Sequence, residues 1–195
     1  MKSICIFCGS SAGNSEEYLK AAKQLGNILA KEKIKLVYGG AKVGLMGIVA
    51  DTVLENNGEV IGVMPRSLVE KEVAHNSLTE LKIVDTMHER KAIMHELSDA
   101  FIAMPGGLGT LDEIFESLTW GQLDIHKKPC AFYNISGYYD KLLDFIRHSI
   151  DEGFINQKHL EMILVASKPE ELLEKRSHYK HPVIDKAKWI KGNCS

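Results

Sequence analysis

Short apolar runs alternate along this chain with stretches whose apolar residues recur at helical spacing. The runs at 3–8, 35–38, 60–64, 81–84, 100–104, 129–133 and 163–166 read as strands, and 100–104 has the length of one buried in a parallel sheet. Between the first two, Tyr18, Ala21, Ala22, Leu25, Ile28 and Leu29 form one stripe of a helix that Asn14 is placed to cap. A second helix is expected from Leu45 towards Asn56, with Gly58 as its stop. Thr86-Met-His-Glu89 is a capping box that opens a helix carrying Arg90 and Lys91. Leu111, Ile114, Phe115 and Leu118 make a further stripe starting at Thr110, and 138–152 another, ended by Gly153. Ser167-Lys-Pro-Glu170 combines a capping box with an early helical proline and starts a short last helix. Strands alternating with helices predict an α/β class: a single-domain, Rossmann-like, doubly wound and mostly parallel sheet with helices on both faces, spanning 1–177. The polar stretch 178–195 reads as a surface tail anchored at Trp189.

Composition narrows the function classes. A chain of 195 residues suits one core, and a net charge of −2 argues against a general nucleic-acid or membrane-surface binder. No run approaches the roughly 20 apolar residues of a membrane span. After Met1-Lys2 the apolar run Ile4 to Phe7 is too short for a secretory leader, so a cytoplasmic protein is expected. Four cysteines are present, and Cys5 and Cys8 make a C-x-x-C. Three residues apart on a strand they face opposite ways, so buried thiols are expected there, not a redox or metal pair.

Two of the predicted strands run into glycines. Gly39 and Gly40 follow Tyr38, and Gly44 and Gly47 come next. Pro105 ends the strand at 100–104, and Gly106, Gly107 and Gly109 precede a helix start. Strand, glycine loop and helix start leave unpaired N–H groups and a positive dipole end, a ready phosphate site. Neither G-x-G-x-x-G nor G-x-x-x-x-G-K-[ST] occurs, which weakens a plain dinucleotide or Walker reading. Ligands of such sheets bind beyond the carboxyl ends of the strands, so Ser10, Gly39, Gly40 and Gly106 to Thr110 are expected around a phosphorylated small molecule. The bland alternative is that Thr110 and Glu113 form a T-x-x-E capping box around a tight turn. Arg90 and Lys91 near a helix N-terminus oppose its dipole, which points to an anionic partner, either a ligand phosphate or a carboxylate. Glu70, Glu72, His75 and Glu80 lie in the long polar connection 66–80.

Together these residues resemble the Lonely Guy (LOG) family of cytokinin riboside 5′-monophosphate phosphoribohydrolases, whose bacterial members were often labelled lysine decarboxylases. The likeness runs over about residues 3–176. It rests on Pro105 to Glu113 as P-G-G-x-G-T-x-x-E, on Met87-His-Glu-Arg-Lys91, on Tyr38-Gly-Gly with Gly44-Leu-Met-Gly47, and on Cys8-Gly-Ser-Ser11. The resemblance implies hydrolysis of the N-glycosidic bond of a purine nucleoside 5′-monophosphate, carrying adenine or N6-prenyladenine, to free base and ribose 5-phosphate. It implies Arg90 and Glu113 as the catalytic pair. Substrate contacts are implied on Glu72, Arg90, Lys91, Gly107, Leu108, Gly109, Thr110, Leu111, Asp112, Glu113 and Thr119. No metal or cofactor is implied, and a homodimer is. Glu116, one turn beyond Glu113, is a second candidate acid. Leu108 stands where many relatives carry an aromatic, which bears on base preference. A non-catalytic nucleotide sensor or carrier is the alternative, and the role of Glu113 separates the two.

Overall fold

A computed structural model describes residues 2–69 and 74–183. Seven strands form one sheet: β1 (Ser3–Phe7), β2 (Lys35–Tyr38), β3 (Val60–Pro65), β4 (Glu80–Val84), β5 (Phe101–Ala103), β6 (Cys130–Tyr133) and β7 (Ile163–Ala166). Every pairing is parallel and the order is β4-β3-β2-β1-β5-β6-β7. The helices are α1 (Glu16–Lys31), α2 (Gly44–Glu55), α3 (Arg66–Val69), α4 (Met87–Glu96), α5 (Leu108–Gln122), α6 (Asp140–Asp151) and α7 (Pro169–Ser177).

Alternation along each strand divides the core in two. Ile4, Ile6 and Cys8 pack with Leu25 and Leu29 of α1, Val49 and Val53 of α2 and Leu172 of α7. Cys5 and Phe7 point the other way, among Met94 of α4, Ile114 and Leu118 of α5 and Leu143 and Ile146 of α6. The expected doubly wound α/β sheet is therefore present, and it is parallel throughout. Cys5, Cys8 and Cys130 are buried and free, with the first two on opposite faces as their spacing requires.

Strand order reverses between β1 and β5, both central and both buried. There the loops after the two strands diverge to opposite faces and leave a crevice at the carboxyl edge. Gly9 N donates to Pro105 O at 3.0 Å, which ties the two loops together at its floor.

Several helix ends differ from expectation. The cap of α1 is Ser15, which accepts from Glu17 N, not Asn14. At the end of α2 the left-handed position falls on Asn57 (φ 58°), an amide side chain that tolerates it, one residue before Gly58. The first residue after Ser167, Lys168, is the N-cap of α7 with Pro169 inside the helix, so no capping box forms there. Helix α6 begins at Asp140, two residues late, because Ser136 and Gly137 take positive φ just before it. The box at Thr86 and Glu89 forms in full. Trp189 and Glu72 lie outside the described residues.

Candidate active site

The glycine loop and α5 differ most from expectation. Helix α5 starts at Leu108 with Gly107 as N-cap, so Thr110 already lies in the first turn and caps nothing. Gly107 has no side chain to close the leading amides, and Leu111 N is the first to bond back, to Gly107 O at 3.2 Å. Those amides are left without a side-chain cap, the arrangement at a helix N-terminus that can receive an anion, and Gly106 and Gly107 just before them line the crevice. Thr110 is buried instead, its hydroxyl beside Gly106.

Freed from capping, Glu113 reaches across to α4. Arg90 Nη1 donates to Glu113 Oε1 at 2.6 Å, and both side chains are about nine-tenths buried. Arg90 is held on a second side by Val63 O, which accepts from its Nε at 3.1 Å. Its remaining nitrogen, Nη2, lies under Gly39, where a Cβ would collide with it. Gly39 is therefore a glycine because the arginine passes beneath it. Burial holds the Glu113 carboxyl above its ordinary value, although the Arg90 charge and hydrogen bond pull it down.

Lys91, next on α4, pairs with α5 as well, with Asp112 Oδ2 at 3.3 Å and Glu116 Oε1 at 3.1 Å. Burial draws the Lys91 ammonium down, but those hydrogen bonds and charges hold it above its ordinary value. The dipole conflict noted for Arg90 and Lys91 is thus answered by carboxylates of α5. Beneath them, Ser117 donates to Glu113 O and bonds His95 Nε2, both at 2.9 Å. Burial, then the charges of His126, Lys128 and Lys91, push the His95 imidazole down to about 4, so it is neutral at physiological pH. Neither His95 nor Ser117 carries a motif that would have singled it out.

The other candidates are spread around this centre. Ser10, Gly106 and Gly107 line a cavity of about 310 Å³ at the strand-order reversal, with Gly9, Ser11 to Gly13, Tyr18 and Tyr138. Leu108 is the most exposed of them, at 86%, on the first turn of α5. Leu111 packs on the core, and Asp112 is exposed apart from its bond to Lys91. Gly40 turns away: its carbonyl accepts from His75 N, and a Cβ there would meet Leu81 and Met64. Thr119 lines a separate apolar cavity of about 90 Å³ with Phe115, Leu118, Ile146 and Ile155.

The glycines divide into two sets. At Gly106 a Cβ would strike the Thr110 hydroxyl and lie 2.8 Å from Gly9 N, whereas at Gly107 and Gly109 it would meet nothing within 4 Å. Gly106→Ala is expected to lower the melting temperature, because backbone must shift. Gly107→Ala and Gly109→Ala should leave it within a degree or two, since that space is open, and, if the loop receives the phosphate its sequence suggests, weaken nucleotide binding by about tenfold. Thermal melts beside calorimetric titrations with AMP check both, and wild-type affinity in the second pair would contradict the assignment.

Comparison with known proteins gives a match of residues 46–176 to a family model described as "Possible lysine decarboxylase". Two Arabidopsis thaliana cytokinin riboside 5′-monophosphate phosphoribohydrolases are each 47% identical to the chain over 178 residues, 91% of it and 82% and 84% of themselves. The chain belongs to the LOG family. Among solved structures, the molybdenum cofactor carrier protein of Chlamydomonas reinhardtii aligns with TM-score 0.69 at 20% identity, over 91% of this chain and 97% of that one. The molybdenum cofactor binding protein of Rippkaea orientalis aligns at 0.67 and 24%, over 89% and 93%. Both show the LOG fold and nothing of its chemistry.

Proposed function

We propose that this LOG protein hydrolyses the N-glycosidic bond of a purine nucleoside 5′-monophosphate, with adenine or N6-prenyladenine as base, releasing the base and ribose 5-phosphate. The observation that carries this reading is the buried Arg90–Glu113 pair set beside an uncapped helix N-terminus. The names of the Arabidopsis relatives supply the substrate class, a cytokinin riboside 5′-monophosphate.

The chemistry needs what the site holds. As the C1′–N bond breaks, positive charge builds on the sugar, and a carboxylate close to it stabilises that charge or orients the attacking water. Water delivers hydroxide to C1′ and the base nitrogen ends with the proton. Glu113 takes the carboxylate role. Arg90, fixed at Val63 and Gly39, holds Glu113 in one rotamer with its planar fork. The amides of Leu108 to Thr110 anchor the 5′-phosphate, so binding energy remote from the reacting carbon positions the sugar. Lys91 is an ammonium engaged with Asp112 and Glu116, unlike the free amine that decarboxylation by an imine would use. Incubation with AMP and with isopentenyladenosine monophosphate, followed by chromatography, tests the reading; release of free base from neither would overturn it.

The described residues contain no helix long and apolar enough to cross a membrane. Free buried thiols fit a reducing compartment, and we place the protein in the cytoplasm. Leu123, Ile125, Phe145 and Phe154 are exposed on α6 and in the segments after α5 and α6. Such apolar exposure supports a homodimer. Sedimentation is expected to give about twice the 21.7 kDa chain mass, and a monomer at micromolar concentration would contradict it.

A further inference from the structure

Two adjacent tyrosines grip the strand and loop that lead into α5. Tyr139 donates its hydroxyl to Met104 O and Tyr138 donates to Gly106 O, each at 2.6 Å. Tyr139 is 1% exposed and stacks edge-on against Phe132, which a place in the core explains. Tyr138 is 43% exposed, so burial does not explain why it is held.

The turn that presents it is built at some cost. Ser136 (φ 51°) and Gly137 (φ 72°) both lie in the left-handed region, which a residue bearing a side chain avoids. Asn134 braces the turn, accepting from Tyr139 N at 2.8 Å and donating to Asp140 Oδ1 at 2.7 Å. The outcome is a Tyr138 ring standing edge-on to Tyr18 at 5.8 Å and walling the 310 Å³ cavity beside Gly106 and Gly107. Its hydroxyl takes up Gly106 O, the carbonyl of the peptide unit that enters the N-cap Gly107.

We propose that Tyr138 is a positioning residue for phosphate recognition: by fixing the Gly106–Gly107 peptide it keeps the leading amides of α5 aimed at the 5′-phosphate. This rests on the phosphate placement proposed above. Gly106 and Gly107 bring no side chain of their own to hold that loop, and Tyr138 supplies a restraint from the neighbouring β6–α6 connection.

The test separates phosphate from base. AMP, ribose 5-phosphate and adenosine are titrated calorimetrically into wild type, Tyr138→Phe and Tyr138→Ala, with thermal melts alongside. Tyr138→Phe keeps the ring and loses one hydrogen bond, and should weaken AMP and ribose 5-phosphate about three- to tenfold, leave adenosine unchanged, and barely move the melt. In turnover the loss should fall on KM more than on kcat. Equal weakening of all three ligands, or none, overturns the proposal, as does a Phe variant like wild type beside an impaired Ala variant, which would reduce Tyr138 to a cavity wall. Wild-type protein that releases no base, yet binds ribose 5-phosphate in a Tyr138-dependent way, would defeat the hydrolase reading and leave this one standing.

Discussion

Glu113→Gln is expected to lower kcat for base release by about a thousandfold or more while AMP still binds within a few-fold of wild type. The amide keeps the shape and still accepts from Arg90, so the pocket survives. What disappears is the negative charge opposite the developing oxocarbenium ion. Single-turnover chromatography beside AMP titration measures both quantities. A sensor or carrier would need only the shape, so retained turnover, or the absence of turnover in wild type, sinks the catalytic assignment. The pH dependence follows from the same residue. Glu113 must be ionised to act, and burial holds it above the ordinary 4.5, so the acid limb of kcat/KM should lie above pH 4.5.

Arg90→Met should be the most destabilising single change at this site as well as an inactivating one. Arg90 and Glu113 are 11% and 10% exposed as side chains, and removing one member of such a pair leaves a buried charge uncompensated, typically at about 3–5 kcal/mol. Without the arginine, burial and the Asp112 charge are opposed only by the Lys91 charge, and the Glu113 carboxyl rises further. Its folded value then stands above its unfolded one, so the folded state holds the extra proton between the two. Stability is retained below the unfolded value and lost as pH rises through the folded one. Urea unfolding across pH 4 to 8 should therefore show the deficit of Arg90→Met shrinking towards the acid end. Adding Glu113→Gln in that background should recover part of the loss at neutral pH, because no charge is left to bury. A deficit that is independent of pH, or a second change that adds to the first, would show that the two side chains do not act as a pair.

Much of this molecule was determined by the sequence itself. Short apolar runs marked the strands, because a parallel strand covered on both faces has to be continuously apolar over a few residues; β4, at the sheet edge, carries Glu80 and Lys82 and stays partly exposed. The glycine spacing after β5 marked the loop, and the capping box at Thr86 to Glu89 placed Arg90 and Lys91 near the start of α4. Motif resemblance supplied the pairing of Arg90 with Glu113, which nothing local announces across 23 residues of chain.

Tertiary structure decided the rest, where two patterns competed or where partners are distant. Thr110-x-x-Glu113 is a valid capping box, but the helix starts two residues earlier: Gly107 takes the cap and Glu113 is drawn to a buried arginine, a stronger partner than a backbone amide. The same holds for Ser167, displaced when Pro169 fixes the helix start. Which anion answers Arg90 and Lys91 was open between phosphate and carboxylate, and the packing of α4 on α5 selected Glu113, Asp112 and Glu116. His95, Ser117 and Tyr138 left no trace in periodicity or motif. Each makes a hydrogen bond to a group 22 to 32 residues away, and such contacts exist only once the sheet has brought distant segments together.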